Sequence, residues 1–470
     1  MERPTGETSG DQRNLLCIDI GTTSVKAALV DVTGRADVLS REQVLFHEED
    51  LYRWHAATWE GAVESLVARM PRRSSVAGIV VSGNGPTLVP LDARGNEVGR
   101  VLMWMDGRDE QLPGDRSFFL PKAAWLRAHR PADFERVRTF ISCPEYIAFV
   151  LTGEAATVSP SDEFAPYMWT SDSIDAYRLD AELFPPFIRP GDTVGSTGTG
   201  SRNTFGLPAG IPVYVGGPDF LMSLLGTATV RDGRTCDRAG TSEGINACSA
   251  GAVDDPRVRC LPHVIPGLYN NAGILSSTGR MFEWFRDISG QTQESYDLML
   301  RNISRLDRAR DVPWFFPSLH QGASWEFSRG MFIGLGAMHG RVEMGRAVVE
   351  SIGFSVREAV EILEENDLTV DEIRACGGQA KNHTWNQMKA DITGKPLLVP
   401  QVEDAELVGN AAVGFFGLGL FETLSDAAER LVRFKAEYSP HPDEHARFTE
   451  RYQRYREVYD RLRKALRDVE

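Results

Sequence analysis

Three observations predict an α/β fold of two lobes. Short apolar strands alternate with helical stretches across both halves of the chain. A strand, a Gly-Thr-Ser turn and a second strand occur twice, with the turn glycines Gly21 and Gly240 219 positions apart. The 470 residues also exceed one domain, at roughly 150 residues each.

In chain order, a polar tail is expected to be disordered over 1–14, with order beginning at Leu15. LLCIDIG and VKAALVDVTG flank a tight Gly-Thr-Thr-Ser turn and read as a hairpin. A third strand follows near Val38 to Val44, a helix near Ala57 to Met70, and the buried strand AGIVVSG over 77–83. Residues 101–210 mix helical stretches with Pro/Gly-rich loops, and IPVYVGG (211–217) runs into Pro218-Asp219. RTCDRAGTSEGINAC is the second hairpin. Residues 342–366 carry apolar positions at helical spacing, and EIRACGG (372–378) is a strand ending in paired glycines. NHTWNQMKADITG and AELVGNAAVGFFGLG read as helices, and the charged helix after His445 mixes both signs, the pattern of a solvated face. The lobe boundary is expected near 226–230.

The net charge of −15 argues against non-specific nucleic-acid or anionic-membrane partners, which call for a basic surface. Six scattered cysteines with no CxxC pair read as reduced, mostly buried thiols rather than a zinc site. The N-terminus lacks an apolar signal core, and no window approaches the ~18 apolar residues of a membrane span. The expected location is cytoplasmic.

Candidate chemistry gathers at three glycine turns. At the first, Gly21 admits close backbone approach, Thr22 and Thr23 add hydroxyl donors, and Lys26 adds charge, which together suit a phosphate. Asp19 is placed to hold a magnesium ion. An ordinary hairpin with Asp19 capping the turn is the other reading. Asp219 follows an apolar strand and two glycines, where a carboxylate could accept the proton of an alcohol during phosphoryl transfer; a helix cap is the alternative. The third turn, Gly377-Gly378-Gln379-Ala380-Lys381, leaves room for an adenine ring or is a plain strand–helix turn.

DIGTTSVKAAL, RAGTSEGI and ACGGQAKNHTW resemble the two phosphate motifs and the adenosine motif of the sugar-kinase, heat-shock-protein and actin superfamily. Within it the chain resembles the FGGY carbohydrate kinases, which include xylulose, glycerol, gluconate and ribulose kinases. GMFIGLGAMHGRVEMGRAVVE (330–350) is similar to their C-terminal signature throughout. SFFLPKAAWLRAH (117–129) approximates the N-terminal one, with Lys122 and Trp125 fitting and Phe119 and Ala123 not. LMWMDGR (102–108) and SPSDEFAPYMW (159–169) are similar to two further family segments, and the resemblance runs in order from about 15 to 420.

The resemblance implies two ribonuclease-H-like (actin-like ATPase) domains, 15–227 and 228–470, facing a central catalytic cleft. It implies ATP and Mg2+ as cofactors, with closure excluding water. Asp219 is then the general base and Asp19 lies by the metal. Gly21, Thr22, Thr23, Lys26, Gly240 and Thr241 face the phosphates, and Gly377, Gly378 and Asn382 the adenosine. Asp106, Asn84, Gly85, Pro86 and Phe220 line the acceptor pocket. The implied partner is a small sugar or polyol, a pentulose such as xylulose by default. Members occur as monomers, dimers and tetramers, so a homodimer stays open.

The pocket departs from the family pattern. Xylulose kinases carry Gln-Met-His-Gly and glycerol kinases Gln-Arg-Glu-Thr where this chain has Asn84-Gly85-Pro86-Thr87. Phe220 stands where Asn or Gln usually follows the catalytic Asp, and LHQGASWEF (319–327) replaces a Gly-Glu-Arg loop. Unpaired buried hydroxyls cost roughly 1–3 kcal/mol each, so an altered acceptor is expected. The competing readings are a silent regulatory homologue, a chaperone-like ATPase and a dehydrogenase. Retained phosphate turns and carboxylates, the C-terminal signature, and the absence of GxGxxG speak against each in turn.

Overall fold

The computed structural model describes residues 13–32, 37–46, 54–71, 73–240, 242–275, 278–307, 310–317 and 330–466. Of the tail expected over 1–14, residues 1–12 lie outside the described residues, as does the segment 319–327, whereas Asn14 is already buried in a strand, where its side-chain amide donates to Ser75. The chain forms two compact units. One takes Met1–Ala228, His263–Pro266 and Glu406–Leu431; the other takes Thr229–Pro262, Gly267–Ala405 and Val432–Glu470.

The first unit is built on a six-stranded sheet in the order Val38–Leu45, Ser24–Asp31, Asn14–Ile20, Val76–Gly83, Pro212–Pro218, Thr193–Ser196. The hairpin Asn14–Ile20/Ser24–Asp31 is antiparallel, whereas Val76–Gly83 runs parallel to both Asn14–Ile20 and Pro212–Pro218. Asn14–Ile20 is buried along its whole length, which accounts for its unbroken apolar run. The helix Ala56–Arg69 covers one face because Trp59, Ala62, Val63, Leu66 and Val67 recur at helical spacing and are all buried. The helix Cys143–Thr152 starts after Ser142, whose backbone N–H donates to the Glu145 carboxylate at 2.8 Å.

One feature of this unit was not expected from chain order. The late helix Ala405–Gly417 lies beyond the lobe boundary expected near 226–230, yet nearly all of it packs within the first unit. Its small residues are the physical reason. A Cβ on Gly409 would stand 2.1 Å from the carbonyl oxygen of Met222, and one on Gly414 would stand 2.3 Å from Leu15. Only bare backbone fits that closely against the sheet and the helix Asp219–Gly226.

The second unit repeats the plan in a seven-stranded sheet: Arg259–Pro262, Tyr269–Leu275, Glu243–Ser249, Gly233–Ala239, Val370–Cys376, Leu397–Pro400, Phe434–Tyr438. Again a central antiparallel hairpin, Gly233–Ala239/Glu243–Ser249, has a parallel strand on its far side, Val370–Cys376, which pairs in parallel with Leu397–Pro400. The 25-residue helix Arg341–Glu365 is the spine of this unit and lies so close to the helix His383–Thr393 that Gly353 has no room for a Cβ beside Ile392. All six cysteines are free thiols, five of them buried.

Candidate active site

In the first unit the sheet delivers its hairpin tip and two strand ends to one place. The Gly21 N–H donates to the Ser24 carbonyl at 2.9 Å, closing the turn. Thr22 is half-buried and Thr23 exposed. The indole Nε1 of Trp104 donates to the Thr22 hydroxyl at 3.0 Å, which leaves that hydroxyl's own proton for another acceptor.

Asp19 sits two residues before Gly21 and is 3% exposed. Ser82, opposite it on the parallel strand, donates its hydroxyl to Asp19 Oδ1 at 2.7 Å. Lys26 is its antiparallel partner on the other side. Burial, then the negative charge of Glu406, with that of Asp219 also contributing, push the Asp19 carboxyl up to about 7 against the opposing pull of Lys26 and Ser82. Asp219 itself is the first residue of the helix Asp219–Gly226 and follows directly on the strand Pro212–Pro218. The cap position is taken by Pro218, so Asp219 stands in the first turn of the helix and not at its cap. One turn along that helix, Ser223 Oγ lies 3.1 Å from both the Asp219 carbonyl oxygen and Glu406 Oε1, which share its single proton.

The loop after Val76–Gly83 is engaged with its own unit. Asn84 is 1% exposed. Its amide donates to the carbonyls of Ile20 (3.1 Å) and Gly21 (3.4 Å), and its Oδ1 accepts the Thr87 hydroxyl at 2.6 Å. The Trp104 N–H donates to Thr87 Oγ1 in turn. Gly85 packs against Pro218, and Gly85, Pro86 and Phe220 are half-buried. Asp106 is bound by the Arg108 guanidinium, with Nε 2.7 Å from Oδ1, and its carbonyl accepts from the buried Lys122. Despite partial burial, this Arg108 pairing holds the Asp106 carboxyl below its ordinary value.

In the second unit the Gly240 N–H donates to the Ser242 carbonyl at 2.9 Å, and Gly240 is exposed; Thr241 lies outside the described residues. Gln379 donates to the Gly240 carbonyl at 2.9 Å and so ties the third glycine turn to the second hairpin. Gly377 has φ +86°, and a Cβ there would meet the Ala239 carbonyl oxygen at 2.5 Å. Gly378 is exposed with open space where a Cβ would lie. Asn382 caps the helix His383–Thr393 by accepting from the Trp385 N–H, and its amide donates to Asp297.

Beneath the second hairpin, Lys389 donates to Asp237 Oδ2 at 2.6 Å and to Glu243, all three side chains being buried. Burial and the neighbouring Glu243 charge push the Asp237 carboxyl well above its ordinary value. Burial alone would discharge Lys389, but the two carboxylates hold its ammonium above its ordinary value.

Sequence reasoning missed Ser82, Ser223, Glu406 and Asn410. Asn410 is fully buried, and its amide donates to the Ile18 carbonyl at 2.9 Å and to Ser82 Oγ at 2.8 Å. The one available signal was two polar residues, Glu406 and Asn410, four apart on an otherwise small and apolar helix.

Comparison with known proteins agrees over nearly the full chain. Residues 14–115 and 109–226 match the N-terminal domain, and 238–418 the C-terminal domain, of the FGGY family of carbohydrate kinases. A xylulose kinase of Staphylococcus epidermidis is 25% identical, covering 97% of this chain and 98% of its own. An autoinducer-2 kinase of Enterobacter sp. is 27% identical over 95% and 94%. The crystal structure of xylulose kinase from Rhodospirillum rubrum shares the fold, with a TM-score of 0.80, 23% identity, and 96% and 99% coverage.

Proposed function

Since the chain belongs to the FGGY family of carbohydrate kinases, enzymes that phosphorylate sugars with ATP, we propose that Asp219 is its general base and Asp19 the anchor of its metal. The observation that carries this is the buried negative field around Asp19, to which Asp219 and Glu406 both contribute. A cation relieves such a field, and a base close to it receives a proton readily.

The donor set suits Mg2+ that arrives on nucleotide phosphates. Among the described residues no three His, Cys, Asp or Glu side chains gather into a metal site. Mg2+ ordinarily takes one or two carboxylates and fills its other places with water and phosphate oxygens. When bound, it would neutralise charge building on the transferred phosphoryl group. Thr22, Thr23, Lys26 and Gly240 are the proposed phosphate contacts, with Thr241 beyond the described residues; Gly377, Gly378 and Asn382 are the proposed adenosine contacts. Asp219 would accept the proton of the acceptor hydroxyl.

Asp106, Gly85, Pro86 and Phe220 are the proposed acceptor wall. Asn84 has a different proposed part: its amide is spent on the hairpin carbonyls and its oxygen on Thr87, so it shapes the turn and offers the acceptor little. A wall with fewer polar groups favours an acceptor with fewer hydroxyls to satisfy than xylulose, of the ketose or polyol class.

The test is ADP release from Mg-ATP with xylulose, autoinducer-2, glycerol, gluconate and further ketoses and polyols, beside Asp219→Asn. The expected result is release that depends on one acceptor class and falls by about 10²–10⁴ in the variant, with ATP binding retained. Release that is equal with and without acceptors, or undiminished in Asp219→Asn, would sink the proposal.

A further inference from the structure

The late helix Ala405–Gly417 sends two polar side chains toward the carboxylates just discussed. They lie four residues apart and so on one helical face. Asn410 sets one connection. Its amide is anchored on the Ile18 carbonyl and reaches Ser82 Oγ, and Ser82 in turn donates to Asp19 Oδ1. With its lone pair engaged by Asn410, the single proton of the Ser82 hydroxyl points at Asp19. Glu406 sets the other. It accepts from Ser223, whose hydroxyl also bonds the carbonyl of Asp219 and so sits on the first turn of the helix that Asp219 begins. Bare backbone at Gly409, between the two, brings this face against Met222 of that same helix.

We propose that Asn410 is a positioning residue for the metal anchor, acting through Ser82 to fix the orientation of the Asp19 carboxylate. The inference rests on the reading of Asp19 as the residue that holds Mg2+. Folding alone does not explain the arrangement. The Asn410 Oδ1 is buried with no hydrogen-bond partner among the described residues, a cost that an apolar side chain of similar size would avoid. Partners that orient a metal-binding carboxylate typically change metal affinity 10–100-fold when removed. Asn410 stands one link behind Ser82, so the lower end of that range applies.

The experiment uses the full chain with Mn2+ as the probe, titrated in the presence of ADP and read by electron paramagnetic resonance, together with the half-saturating Mg2+ concentration of the kinase reaction. Asn410→Ala is expected to weaken Mn2+ binding and raise the Mg2+ requirement about tenfold, with the KM for the acceptor changed less than twofold. Ser82→Ala is expected to do the same, and the double variant to add little, because the two act in series. Asn410→Asp, which replaces the donor with a like charge, is expected to do worse than Asn410→Ala. Should Asn410→Ala fail to fold, Ser82→Ala carries the test, since it removes one hydroxyl. Unchanged Mn2+ affinity in folded Asn410→Ala or Ser82→Ala, or fully additive effects, would overturn the proposal. If Asp19→Asn binds Mn2+ as tightly as the parent while Asp219→Asn still abolishes transfer, the metal reading of Asp19 fails, this inference fails with it, and Asp219 stands.

Discussion

The two glycine-turn hairpins share a backbone plan and treat their buried acids in opposite ways. In the first unit Asp19, two residues before its turn glycine, faces Ser82 across the parallel ladder; in the second that position is Arg238, facing Cys376, and the buried acid Asp237 stands one residue earlier, facing Ala375. The helix over the second hairpin supplies a cation, Lys389, which binds both Asp237 and Glu243. The helix over the first supplies an amide, Asn410, and another acid, Glu406. One unit neutralises its acids from within; in the other, Lys26 and the Ser82 hydroxyl oppose the negative charge around Asp19 without overcoming it. Electrostatics completed inside a fold reads as architecture, and electrostatics left incomplete at a turn reads as a place for a ligand cation.

The sharpest way to break this comparison is Lys389→Met. Losing the ammonium leaves two buried acids without their partner and is expected to destabilise the protein by about 3–5 kcal/mol. Adding Asp237→Asn and Glu243→Gln should recover most of that, measured by urea unfolding. If Lys389→Met alone is nearly neutral, the second hairpin is not held as described.

Acid titration probes the first hairpin. Folded Asp19 keeps its proton up to about pH 7, whereas an unfolded aspartate loses it near pH 4. Between those values the folded state binds more protons, so stability is full at low pH and falls as pH rises, by at most about 1.4 kcal/mol per unit. Without metal, Asp19→Asn should flatten this slope and unfold about 2–4 kcal/mol later than the parent at pH 8. Denaturant curves at pH 5 and 8 decide it: equal slopes in parent and variant would mean the field around Asp19 is already compensated.

The smallest effect separates the turns themselves. A Cβ on Gly21 would stand 3.1 Å from the Ser24 carbonyl oxygen, but one on Gly240 meets nothing nearer than 3.6 Å. Gly21→Ala should cost about 1 kcal/mol and Gly240→Ala within about 0.5 kcal/mol, read as a shift of Tm.

Most of the fold was legible because apolar runs ending in glycine announce buried strands, and the long amphipathic helices announce themselves by period. The strands Tyr269–Leu275 and Leu397–Pro400 were not read: the first opens Tyr-Asn-Asn and the second is four residues long. In the site, Asp19 and Asp219 were visible because each sits beside a glycine turn. Their supporting residues were not, because Ser223 meets Glu406 across 183 positions and Ser82 meets Asn410 across 328. Local pattern carries no information about such partners. Asn84 shows the converse limit, since its place in the sequence pointed to the acceptor and its burial turned its amide inward.

The late helix also sets a constraint on manufacture. The first unit is begun by Asn14 and remains unfinished until Leu431 has been added. On a ribosome adding roughly 5–20 residues per second, the stretch after Ala228 takes on the order of 10–40 s. For that interval the surfaces of Leu15, Val80 and Tyr214, against which Gly414 and Gly417 finally lie, have no cover. A nascent chain in this state is exposed to aggregation, and a fragment ending at Ala228 would carry Asp19 and Asp219 with no lid on its own sheet.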